Sequence, residues 1–159
     1  MGLFSFIKKA GIKVFEIEHA HMLLPSEALI KKAEIENYAA KKLERIIINL
    51  QLQVEDLNVF IDTDVAVVSG LAYDQATREK VVLIVGNSDG ISSVYDYMKV
   101  ENEAPVSQFY TVTNGDTLGK IAKVYYGNDM GYSVIFEANK PMLHHPKKIY
   151  PGQVLRIPA

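Results

Sequence analysis

Apolar residues at the start of the chain cluster as Leu3, Phe4, Phe6 and Ile7 ahead of Lys8 and Lys9. Gly11 follows, where a left-handed residue would end a helix, so Gly2 to Ala10 is predicted as a short amphipathic helix. Residues 12–24 hold no single period, with Ile12, Val14, Phe15 and Ile17 alternating imperfectly with charge. That stretch reads as irregular or partly helical. Ser26 then offers an N-cap, and Leu29, Ala33, Ala39, Leu43, Ile46, Ile47 and Leu50 recur every three or four residues through a Lys- and Glu-rich surface. The spacing predicts a long helix over 26–49.

Beyond it the period changes to two. Leu57, Val59 and Ile61 alternate with Asn58, Phe60 and Asp62, Asp62 to Asp64 makes a turn, and Val65, Val67 and Ser69 continue to Gly70, which predicts a β-hairpin. Asp74 caps a second helix through Lys80, Val82 and Leu83 to Val85. Gly86 and Gly90 bracket the loop GNSDG, and Ile91 to Val100 reads as a strand. ENEAPVS at 101–107 has no apolar period and carries a proline, as a linker would. After it come a strand at Phe109 to Thr113, a helix from Asp116 to Tyr125, a helix from Tyr132 to Asn139 and a closing strand at Gln153 to Ile157. The expected class is α+β: an N-terminal helix and connector over 1–24, an αββαβ unit over 25–103, and a βααβ unit over 107–159.

Composition narrows the function classes. The 159 residues are 48% apolar, enough for a core, and hold no cysteine, so disulfides, thiolate metal sites and thiol nucleophiles are excluded. Seventeen basic residues against nineteen acidic ones argue against nucleic acid as a partner. The charge is uneven: residues 51–106 carry 3 basic and 10 acidic side chains, whereas 107–159 carry 6 and 3. Lys8, Lys9 and Lys13 follow the short apolar start instead of preceding it, which is the wrong order for an export signal. No apolar run approaches the roughly 20 residues of a membrane helix. A soluble, cytoplasmic monomer is the expectation.

The stretch FYTVTNGDTLGKIAKVYYGNDMGYSVIFEANKPM, followed by KKIYPGQVLRIP, resembles a LysM domain across nearly all of 107–159. Residues 57–100, with the hairpin, a helix and VGNSDGISSV, resemble a BON domain. Together with the opening MGLFSFIKKAG, the arrangement is similar to the bacterial cytoplasmic potassium-binding family that joins one BON domain to one LysM domain. Residues 12–56 match poorly. The resemblance implies a cytosolic K+ sensor with a part in the osmotic stress response, no enzymatic activity, and a downstream protein that reads the bound state.

Potassium suits main-chain ligation because carbonyl oxygens are dipoles, not full charges, and do not over-favour small or divalent ions. The last carbonyls of a helix lack internal partners and lie at the negative end of its dipole. Two ends qualify: Ile7, Ala10 and Gly11, and Gly86 with its loop to Ile91. The donors that the resemblance implies are the carbonyls of Ile7, Ala10, Gly86, Ser88 and Ile91, with Ile12 as a candidate sixth. Taken without the resemblance, Gly11 and Gly86 are ordinary helix terminators.

LysM domains generally hold N-acetylglucosamine-containing glycans in a shallow groove. The matching positions here are Gly115, Asp116, Thr117 and Leu118 on one side, and Asn139, Lys140, Pro141 and Met142 on the other. Asp116 and Leu118 also serve as an N-cap and a core residue, so the LysM unit is expected as a packing or regulatory module with its groove toward the BON domain. The alternative is an envelope-stress adaptor touching phospholipid and peptidoglycan. Zinc has weaker support, since His19 with His21 and His144 with His145 bring no third ligand at metal spacing. Neither DTD at 62–64 nor NSDG at 87–90 extends into a calcium loop, and no G-x-S-x-G or phosphate-binding motif is present.

Overall fold

A computed structural model describes residues 2–7, 11–15 and 25–159. The first element, β1 (Gly2–Ser5), pairs antiparallel with β6 (Ser93–Asp96), and β2 (Ile12–Lys13) pairs parallel with β5 (Ser88–Asp89). Between them in sequence lie α1 (Pro25–Asn49), β3 (Val54–Asp62), β4 (Val65–Asp74) and α2 (Gln75–Gly86). The large sheet runs β1-β6-β4-β3, and β7 (Lys99–Asn102) continues beside β4. Ala39, Leu43 and Ile47 on α1 and Val81, Val82 and Val85 on α2 are buried in one core with Val59, Ile61, Ala66 and Val68 of the hairpin. The three-and-four spacing of α1 and the alternation of the hairpin both come from facing this core.

The N-terminal helix expected over Gly2 to Ala10 is corrected: Gly2–Ser5 is a strand. Its burial alternates, with Phe4 and Phe6 half-buried and Leu3 and Ile7 exposed at 60% and 51%. Four apolar residues in five fit a helix stripe or a strand face equally well, and the open edge of β6 decides for the strand. Residues 8–10 lie outside the described residues, as do 16–24. The strand expected over Ile91 to Val100 is divided into β6 and β7, because Asp96 turns the chain by accepting the Met98 N–H at 2.9 Å. Asp74 caps α2 as expected, accepting the Thr77 N–H at 2.7 Å.

The C-terminal unit has the expected βααβ order: β8 (Gln108–Thr111), α3 (Leu118–Tyr126), α4 (Tyr132–Ala138) and β9 (Val154–Ile157). A second core of Leu118, Ile121, Ala122, Ile135, Leu155 and Ile157 lies beneath the helices. Thr117, not Asp116, is the cap of α3. The Asp116 carboxylate instead closes the preceding turn, accepting from the Thr113 N–H, the Thr113 hydroxyl and the Tyr110 hydroxyl. The Thr113 N–H and then the Tyr110 hydroxyl stabilise its charge and hold its pKa below the usual carboxylate range.

The two units meet along α2, which lies beside β9. Gln75, Glu79, Leu83 and Asn87 follow one another at four-residue steps and form one stripe facing the C-terminal unit. Near its start Glu79 accepts from Arg156 Nε at 2.8 Å, the Ser107 N–H at 2.9 Å and Gln75 Nε2 at 3.0 Å. Ser107, at the end of the predicted linker, is buried in this network, and Arg156 also donates to its hydroxyl at 3.0 Å. Burial pushes the Glu79 carboxyl up, but the hydrogen bonds from Gln75, Ser107 and Arg156 outweigh it and hold the pKa below normal.

Candidate functional site

At the far end of α2 the structure brings together most of the residues singled out in the sequence. Asn87 follows Gly86 as the C-cap, its N–H donating to the Leu83 carbonyl at 2.8 Å. No basic side chain stands in the last turn, so the negative end of the helix dipole is not offset from within. The chain then runs through Ser88, whose hydroxyl donates to the Ile84 carbonyl at 2.8 Å, and through Gly90 at φ +96° to Ile91. Gly86, Ser88 and Ile91 are all buried. The carbonyl of Ser88 accepts the Ile91 N–H at 3.2 Å.

Onto this loop comes the N-terminal segment, distant in sequence. Ile12 stands opposite Ser88 and donates its N–H to the Asn87 carbonyl at 3.1 Å, while the Phe6 N–H donates to the Ser92 carbonyl at 2.8 Å. Ile7 follows Phe6 directly, so the segment crosses the loop at both ends. Gly11, at φ +105°, passes so close that a Cβ there would collide with the Asn87 carbonyl oxygen. The ring of Phe6 lies against Gly86, where a Cβ would likewise collide. Phe6 and Phe15, which meets Gly90, wall the loop with apolar surface.

Ile12, Gly86, Ser88 and Ile91 thus lie together at one helix end, Ile7 follows the Phe6 that meets it, and Ala10 falls outside the described residues. The expectation of two helix ends face to face is corrected, because Gly2–Ser5 is extended and the Ile7 side of the loop is no helix terminus. One helix end and one extended segment take its place. The donor chemistry fits a large monovalent cation: neutral main-chain oxygens, a helix C-terminus, and apolar walls that limit competition from water.

A LysM domain model matches residues 110–158. Over 158 residues the chain is 43% identical to "Potassium binding protein Kbp" of Escherichia coli O6:H1, and the match covers 99% of each chain. The chain belongs to this family. A shorter likeness, 45% identical over 61 residues, relates 38% of the chain to 23% of an uncharacterized protein of Deinococcus radiodurans.

In this Kbp-family chain the positions expected to line a glycan groove fall at two separate cavities. A cavity of about 460 Å³ is lined by Asp116, Thr117, Leu118, Tyr132, Lys147 and Ile149, all of the LysM unit. Opposite Asp116 to Leu118 in this cavity stands the Pro146 to Ile149 stretch, and Asn139 to Met142 are not part of its lining. Asn139 is buried and holds Arg156, and Lys140 pairs with Glu137. Pro141 and Met142 instead line a different cavity, about 490 Å³, between the units, with Ile46, Leu50 and Leu83 on the other side. His144 sits at that cavity, and His19 and His21 lie outside the described residues. Among the described residues no helix is long and apolar enough to cross a membrane.

Sequence reasoning missed Phe6 and Asn87. A ring against a glycine 80 positions later leaves no local signal. GNSDG reads as a turn whichever way its asparagine points.

Proposed function

We propose that the chain is a cytosolic, non-enzymatic potassium sensor, holding K+ through the main-chain carbonyls of Ile7, Ala10, Gly86, Ser88 and Ile91, with Ile12 as a sixth. The observation that carries this reading is the parallel pairing of Ile12 with Ser88, which sets a segment from the chain's start across the buried C-terminal end of α2. Full-length identity with a protein named for potassium binding supports the same ligand. Main-chain ligation asks for no particular side chain at positions such as Ser88 and Ile12. The oxygens spread over two segments suit a roomy shell and disfavour the smaller sodium ion. Residues 25–103 form the BON domain in this reading, and ion binding orders it against the LysM domain for a downstream protein to read.

Thermal unfolding across a series of alkali-metal chlorides tests the proposal. A melting temperature that rises with KCl well beyond equal NaCl supports it, and equal effects of the two salts refute it.

A second reading rests on the open groove between Asp116 and Ile149: a LysM unit that holds peptidoglycan glycan while the BON unit meets phospholipid. Co-pelleting with purified cell-wall sacculi supports that reading, and a chain that stays in the supernatant rejects it.

A further inference from the structure

β9 presents a free edge on the side away from β8. Val154 and Arg156, two residues apart, point their N–H groups outward along that edge, where a neighbouring strand would otherwise pair. Two asparagine side chains stand there instead. Asn139, from the end of α4 in the same unit, accepts the Arg156 N–H at 2.9 Å and donates to the Arg156 carbonyl at 2.9 Å. Asn87 treats the next outward residue the same way: its Oδ1 accepts the Val154 N–H at 2.8 Å, and its Nδ2 donates to the Val154 carbonyl at 2.9 Å. Each amide supplies the donor and acceptor of a missing peptide group.

Asn87 differs in what else it holds. Its backbone lies between Gly86 and Ser88, its N–H caps α2, and its carbonyl accepts the Ile12 N–H. A single residue therefore joins the helix end, the N-terminal segment and the edge strand of the LysM unit. Both contacts to Val154 are made by one planar amide two bonds from the backbone, so a shift of the Gly86–Ser88 backbone bears on the two together.

We infer that Asn87 is the positioning residue through which occupancy of the carbonyl loop is transmitted to the LysM unit, the ion-bound loop holding the amide in register with Val154. This rests on the potassium reading above and adds the route by which the second unit responds. Binding and seating are then linked, and linkage is reciprocal: the factor by which K+ favours the Asn87–Val154 contact equals the factor by which that contact favours K+. Asn139 joins two elements of one unit, and Arg156, whose backbone it holds, reaches α2 only through its side chain on Glu79, so the Arg156 amide serves as the reference.

The test is amide hydrogen exchange on the full chain in KCl and in NaCl at equal ionic strength, with K+ affinity measured by calorimetry. Exchange at Val154 is expected to slow by roughly tenfold in KCl while exchange at Arg156 stays unchanged. Asn87→Ala is expected to abolish the response at Val154 and to weaken K+ binding by about the same factor without eliminating it. If K+ binds but Val154 does not respond, or responds no more than Arg156, the inference is overturned and the ion site stands. Unchanged K+ affinity in Asn87→Ala likewise overturns it. An unsubstituted chain that takes up no K+ refutes the function reading itself. The comparison of two amides in the unsubstituted chain decides the matter even where the variant folds poorly.

Discussion

Asn87 and Asn139 perform the same chemistry on the same edge of β9, yet one ties the strand to its own domain and the other ties two domains together. Asn139 is buried, and its amide also donates to the Ile135 carbonyl at 2.7 Å, so its three contacts form with the LysM core itself. Asn87 is only partly buried and belongs to the other unit. What separates them is their neighbours. The first is enclosed by the hydrophobic core, the second by a loop of main-chain oxygens. Identical hydrogen bonds thus close one domain on itself in one place and join two domains in another. Further along the same interface, the Glu79–Arg156 pair shows a third arrangement, charged and buried.

That charged contact carries the largest expected effect. Glu79→Ala would leave the Arg156 guanidinium buried without its carboxylate, costing about 3–5 kcal/mol in chemical denaturation. Asn139→Ala strands the Arg156 N–H and carbonyl in a site closed to water, so a loss of roughly 2–4 kcal/mol is expected, with the same K+ response as before. Asn87→Ala exposes equivalent groups where water can reach them, and about 1 kcal/mol is expected. Asn87 and Asn139 losing equal stability would break the comparison.

Acid sharpens it further. The folded pKa of Glu79 is below its unfolded value, so its contribution is present above the unfolded pKa and is lost as pH falls through the folded one. The interface is expected to loosen below the usual carboxylate range, and Glu79→Gln should flatten that part of the pH–stability profile. The two amide contacts do not titrate and contribute no such slope. Gly11→Ala acts on the loop directly: at φ +105° its Cβ would fall on the Asn87 carbonyl, so the N-terminal segment has to move off the loop. It should lower the melting temperature in both salts and abolish the potassium-dependent rise.

Most elements could be read from the residues because their periods are long. α1 repeats its stripe over seven turns, the hairpin alternates on both sides of Asp62 to Asp64, and Asp74 marks the start of α2. The N-terminal strand could not, since Leu3 to Ile7 is too short to separate the two periods and the deciding partner, β6, lies some 90 residues away. The candidate site was partly readable for the same reason. Gly86 and Gly90 announce a turn with inward backbone, whereas the seating of Ile12 on Ser88 and of Asn87 on Val154 depends on packing between distant segments. The LysM resemblance puts Asn139 to Met142 on the groove, as the stretch that follows the second helix of the unit. Asn139 is instead buried on the Arg156 backbone, and Pro141 and Met142 line the cavity between the units.

The central claim concerns carbonyl oxygens, and carbonyl carbons report on them directly. In a titration of ¹³C-labelled protein with KCl at constant ionic strength, the carbonyl resonances of Gly86, Ser88 and Ile91 are expected to move together and saturate, while that of Ala72 in the middle of the sheet stays in place. Resonances that remain still in KCl, or that move as far in NaCl, would contradict a potassium site at the end of α2.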